Sequence, residues 1–165
     1  MIIVTFGLPG SGKTYFARHL AQQMAFPHIS SDEVRTELSR LGQYNPEDRL
    51  FIYREMIQRA HEALQKNPVV ILDATYTQTE YQQTVLEYAA DHAQEICWVL
   101  LTASEDIIYE RVSKKRDFTE ADFSVYLTLK EQFTPPDSPL LTLDSGKLTL
   151  ENMVSQVKKY IQYES

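Results

Sequence analysis

The 165-residue chain carries 16 Lys plus Arg against 23 Asp plus Glu, a formal net charge of −7, with 43% hydrophobic residues and one cysteine. That length suits a single domain, 1–165, able to bury a substantial core, and the acidity argues against a sequence-independent grip on long nucleic acid or an anionic membrane. Cys97 lies in an apolar run with neither a disulfide partner nor metal-ligand spacing; no stretch reaches transmembrane length and the amino terminus lacks the layout of a secretory leader, so a cytoplasmic location is expected.

Met1 to Phe6 reads as a buried strand feeding Gly7-Leu8-Pro9-Gly10-Ser11-Gly12-Lys13-Thr14, and Lys13 to Met24 reads as the helix behind it. A glycine, four residues, then Gly-Lys-Thr is the phosphate-binding loop pattern. Its glycines let consecutive N–H groups turn inward around a phosphate, and the helix start adds unpaired donors and the positive end of its dipole. Lys13 is expected to reach the β- and γ-phosphates of a nucleoside triphosphate, and the Thr14 hydroxyl to hold Mg²⁺.

Phe16, Ala17, Leu20 and Met24 fall on one face of that helix. A short strand at His28-Ile29 runs into Ser30-Ser31-Asp32-Glu33-Val34-Arg35, where Ser30 and Glu33 have capping-box spacing for a second helix, and Asp32 and Arg35 share a helix face. After a turn at 42–46, Leu50, Tyr53, Ile57, Ala60 and Leu64 mark a longer helix that stops at Asn67-Pro68. The continuously apolar strand 69–72 ends at Asp73-Ala74-Thr75. A helix over about 78–92, a strand over 96–101, and a helix capped by Ser104 follow. Arg111 to Arg116 then breaks the alternation, and a helix-like stretch precedes Thr134-Pro135-Pro136, so a mobile lid is expected at about 111–136. The strand 140–143, Asp144-Ser145-Gly146 and a closing helix complete the chain.

Strand and helix alternate, which predicts an α/β fold: a five-stranded parallel sheet with helices on both faces, three layers, and ligands at the carboxyl ends of the strands. The phosphate loop, Asp32 and Asp73 each follow a strand, so they should meet at one rim. There Asp32 is a candidate general base for an acceptor hydroxyl, its alternative being a helix N-terminal acid that answers the dipole. Arg35 holds the acceptor or pairs with Asp32; Asp73 meets Mg²⁺ through water, orients Arg35, or caps a turn; Thr75 contacts the acceptor. Arg111, Lys115 and Arg116 either meet the triphosphate from the lid or form a solvated basic face.

With these segments in place, the chain resembles small P-loop kinases of the polynucleotide-kinase-like type, a group also labelled AAA-type ATPases. The resemblance rests on Gly7 to Thr14, Ser31 to Arg35, Tyr44 and Tyr53 leading to Val70 to Tyr76, and the lid ending in Pro135-Pro136. It implies a P-loop NTPase fold with a helical lid, Asp32 as base, Arg35 on the acceptor, lid cations on the triphosphate, and Asp144 beside the adenine. The usual lid pattern has two arginines four apart, whereas here Lys115 stands four after Arg111 and Arg116 one further. The expected activity is ATP- and Mg²⁺-dependent phosphoryl transfer to a hydroxyl, on a nucleic-acid 5′ end or a small molecule, including a toxin-like transfer to a cell-wall precursor. The competing reading is a nucleotide-dependent switch that hydrolyses ATP slowly; the chain has no Asn-Lys-x-Asp for guanine and carries Ala74 after Asp73 where a hydrolytic glutamate is expected.

Overall fold

The computed structural model describes residues 1–114 and 123–162, so Lys115, Arg116 and the segment 115–122 of the expected lid lie outside the described residues. In chain order the elements are β1 (Ile2–Phe6), α1 (Lys13–Met24), β2 (His28–Ser30), α2 (Ser31–Glu37), α3 (Pro46–Leu64), β3 (Val70–Asp73), α4 (Thr79–Asp91), β4 (Ile96–Thr102), α5 (Glu105–Val112), α6 (Phe123–Glu131), β5 (Leu140–Asp144) and α7 (Leu150–Tyr160). The strands form one sheet in the order β2-β3-β1-β4-β5, and every pairing is parallel.

The central strands are mostly apolar because both faces are covered, with Thr5 and Asp73 their buried polar residues toward the carboxyl ends. Ile2, Val4, Phe6, Val70, Leu72 and Trp98 pack on one side against Ile52, Tyr53 and Met56 of α3 and Tyr81 and Val85 of α4. Ile3, Ile71, Cys97, Val99 and Leu101 pack on the other against Phe16, Ala17 and Leu20 of α1 and Met153, Val154 and Val157 of α7. The period-two alternation of β1 thus divides between two cores. Cys97 is core filler, and burial pushes its thiol up to about 12.

Local rules set the ends of the helices. The Asn45 side chain accepts from the Asp48 N–H at the start of α3, and Pro46 occupies the first turn. The capping box expected at Ser30 and Glu33 does not form: Ser30 is the N-cap of α2, but its side chain makes no capping bond. Glu33 instead pairs with Arg18 of α1 at 2.8 Å, a tertiary partner that backbone spacing could not announce. Ser104 likewise occupies the N-cap of α5 without a side-chain bond.

The chain leaves β1 into α1 on one face and leaves β3 into α4 on the other. The crevice between the carboxyl ends of β1 and β3 is therefore a topological switch point, where sheets of this kind take their ligands. Leu72, fully buried in β3, tests the packing that supports this rim. Leu72→Ala should lose ~2–5 kcal/mol of stability in urea denaturation followed by the fluorescence of the buried Trp98.

Candidate active site

The loop after β1 is built from backbone that only glycine tolerates. Gly7 has φ +144°, and a Cβ there would sit 2.4 Å from the main-chain oxygen of Leu101 on neighbouring β4. Gly12, at φ +85° and ψ 8°, is the N-cap from which α1 starts. A cavity of about 1040 Å³ opens over Pro9, Gly10, Gly12, Lys13 and Thr14. Of the other candidate loop positions, Gly7, Leu8 and Ser11 shape the turn without lining the cavity.

The sheet order lines up what surrounds this loop. Past β5 stand Ser145, Leu148, Leu150 and Met153; past β4, Arg111 and Val112, backed by Val125 and Leu129 of α6; past β1, the phosphate loop; past β3, Thr75; past β2, Ser30 to Asp32 and Arg35. Asp32, Arg35 and Thr75 are therefore gathered with Lys13 and Thr14 at one rim. An apolar wall lies toward one end of the row, and a polar group toward the other.

Asp32 is half-buried. Burial is the largest influence on its carboxyl and raises its pKa; Lys13 opposes the rise, Asp73 adds to it, and Arg35 and Arg18 oppose it. A dipole-dominated acid would move the other way, so its environment favours a carboxylate able to take a proton. Asp73, 1% exposed at the end of β3, has no hydrogen-bond partner on either oxygen, and His28 Nε2, 3.5 Å from Oδ2, is itself unbonded. The turn-capping and Arg35-orienting alternatives therefore find no bond in the structure. An orphaned buried carboxylate suits a hydrated, hard divalent cation, which needs few protein oxygens. Among the described residues no cluster of three or more His, Cys, Asp or Glu forms a metal site; Thr14 lines the cavity, and Asp73 lies outside its lining.

Arg35 does not form the surface ion pair with Asp32. It is 3% exposed, donates through Nη1 to the Gln43 carbonyl at 2.5 Å, and lies over the Tyr44 ring at 4.7 Å. Burial lowers its pKa, and the neighbouring Arg49 lowers it further. Arg49 donates through Nε to the Tyr44 carbonyl at 2.8 Å, and among the described residues neither arginine has a carboxylate within 4.0 Å. Tyr53 and Thr75 complete this end, their hydroxyl oxygens 3.1 Å apart.

Arg111 lies over the phosphate loop, where Nη1 donates to the Gly10 carbonyl at 3.1 Å and to Ser145 Oγ at 2.8 Å, and Ser145 Oγ donates to the Ser11 carbonyl at 2.7 Å. Asp144 does not line the cavity: it accepts from the Gly146 N–H at 2.9 Å and pairs with Lys147 at 3.1 Å, and the bond from Lys147 lowers its pKa. Its neighbour Ser145 takes the cavity position. Sequence reasoning missed Arg18 and Arg49, which both line the site. Arg18 stands one helical turn beyond Thr14, a signal that was available; Arg49 stands fourteen residues after Arg35, across a turn, with no period to link them.

The chain matches the AAA domain family over residues 2–136 and belongs to it. Among curated proteins, an uncharacterized protein of Mycobacterium tuberculosis is 27% identical over 118 residues, which are 64% of this chain; the chain spans about a quarter, 24%, of that protein's length. A probable adenylyl-sulfate kinase of Aeropyrum pernix is 21% identical over 169 residues, 98% of this chain and 92% of that protein. Among solved structures, an APS kinase of Mycobacterium tuberculosis in complex with AMPPNP and APS superposes with a TM-score of 0.74 at 17% identity, covering 98% of this chain and 96% of that one. These likenesses establish a P-loop NTPase fold.

Because the folded pKa of Asp32 lies above its unfolded value, the fold disfavours the ionised form. That penalty is fully present above the folded pKa, shrinks as pH falls through it, and is gone below the unfolded value. Asp32→Asn should therefore raise the Tm at neutral pH, with the gain over wild type vanishing on acidification, in paired melting curves from pH 7 to pH 4.

Proposed function

We propose that this member of the AAA domain family is an ATP-dependent phosphotransferase that moves the γ-phosphoryl group to a hydroxyl of a small acceptor carrying a negative charge elsewhere on the molecule. One observation carries the reading: a single cavity holds the phosphate loop between an apolar wall and the group Asp32, Arg35, Arg49 and Thr75. The wall of Val112, Leu129, Leu148 and Met153 suits a base, and the loop suits the triphosphate.

At the opposite end the acceptor hydroxyl gives its proton to the Asp32 carboxylate as its oxygen attacks the γ-phosphorus, and the bond to the bridging oxygen breaks to release ADP. Lys13 places positive charge against the phosphate oxygens, and Arg111 adds a second cation at the loop. Mg²⁺, held by Thr14 and through water by Asp73, would neutralise charge on the β- and γ-oxygens. Tyr53 and Thr75 orient the hydroxyl.

The negative charge on the acceptor is inferred from Arg35 and Arg49. Two guanidinium groups with no carboxylate within 4.0 Å repel each other in a half-enclosed cavity where Asp32 is the one acid among the described residues, and an anion supplies further counter-charge. The cavity lining as a whole carries Lys13, Arg18, Arg35, Arg49 and Arg111 against Asp32, although the chain is acidic at −7. Adenylyl sulfate, the substrate named for the Aeropyrum relative, is an anion of this kind. The concave, enclosed site and the acidic exterior favour a small acceptor over a nucleic-acid end, and a cytoplasmic site of action, where ATP is abundant, accompanies the reading.

Transfer of labelled γ-phosphate to matched acceptors, such as gluconate against glucose or a nucleoside 3′-phosphate against the nucleoside, tests it. Label should appear on the anionic member of a pair. Asp32→Asn should keep ATP binding while turnover falls roughly 10²–10⁴-fold, and Arg49→Gln should raise the acceptor KM about 10–100-fold. Label found only as free phosphate, indifferent to every acceptor and to Asp32→Asn, would replace the kinase with a slowly hydrolysing switch.

A further inference from the structure

Gln82 is a polar side chain 1% exposed, on α4 and outside the cavity, and it satisfies two main-chain oxygens at once. Its Nε2 donates to the Tyr76 carbonyl at 3.0 Å and to the Thr134 carbonyl at 2.7 Å. Two carbonyls can be met only by the amino end of the amide, so both its protons are committed.

The two oxygens belong to different parts of the site. Tyr76 follows Thr75, which lines the acceptor end, and it holds φ +42°, a left-handed conformation that a bulky residue keeps only when its surroundings hold it there. Thr134 lies three residues beyond α6, whose Val125 and Leu129 line the nucleotide end. The same junction is tied twice more, by the Thr134 N–H to the Thr77 carbonyl at 2.8 Å and by Gln78 Nε2 to Gln132 Oε1 at 2.9 Å. Of the three ties, only Gln82 reaches the residue next to Thr75.

We propose that Gln82 is a positioning residue that joins the acceptor-side loop 74–77 to α6, so that filling the nucleotide end orders Thr75. The link requires nucleotide binding and is independent of whether phosphoryl transfer follows. Breaking either bond would leave an N–H of the buried Gln82 amide unpaired, so the loop and the helix must keep one mutual register. By reciprocity, an acceptor that orders the loop tightens the hold on nucleotide by the same factor.

Hydrogen exchange with and without the non-hydrolysable analogue AMPPNP tests the link, with AMPPNP binding measured separately by calorimetry. In the wild type, AMPPNP should slow exchange in both 123–131 and 75–78. In Gln82→Met, α6 and the strand amides should respond as in the wild type, while the nucleotide-dependent slowing at 75–78 falls at least about threefold. A merely structural role would lower protection throughout and leave the response at 75–78 in proportion. An equal response at 75–78 in Gln82→Met overturns the proposal. If that variant does not fold, the wild-type measurement still decides: AMPPNP bound without slowing at 75–78 overturns it too.

Discussion

Everything at the active rim depends on strands that are buried on both faces and run the same way. A parallel strand needs a crossover before the chain can pair again, and crossovers that cover both faces put every strand's carboxyl end on one edge. The close approach of Gly7 to the Leu101 oxygen is the local expression of this constraint. It seats the phosphate loop against the end of β4, and Arg111 and Ser145 then fasten the same loop to the segments that follow β4 and β5.

The charges at the rim oppose one another in a way that a structural role alone does not explain. Asp32 is pushed toward protonation by burial and by Asp73, Asp73 lacks hydrogen bonds, and Arg35 and Arg49 have no carboxylate within 4.0 Å among the described residues. Each of these costs stability. Under the proposed reaction a cation, a triphosphate and an anionic acceptor carry the signs that would relieve all three.

Behind Thr75 stands an aromatic support. The rings of Tyr53 and Tyr76 stack with centroids 4.7 Å apart, Tyr76 meets Trp98 edge-on at 6.1 Å, and Phe6 meets Trp98 at 5.5 Å. This stack holds the Tyr53 hydroxyl against Thr75 and helps to hold Tyr76 in its left-handed conformation. The rigidity belongs to the packed side of the loop, and Thr75 is the residue it presents.

The linear sequence determined the element order, the parallel α/β class and the phosphate loop, because each is written in short-range features: apolar runs of strand length, helical spacing, and glycines at fixed intervals before Lys13. It also pointed to Asp32, Arg35 and Thr75 as residues of one rim, where they line the cavity, since a residue just past a strand of a parallel sheet lies at its carboxyl edge. Only the tertiary structure decided what these residues touch. Glu33 chose Arg18 over its capping box, Arg35 turned from Asp32 to Gln43 and Tyr44, Asp144 was taken by its own turn, and Arg49 and Gln82 entered from helix positions with no sequence signature. Side-chain partners across elements depend on how helices pack on the sheet, and that geometry is a property of the whole fold, with no period along the chain to record it.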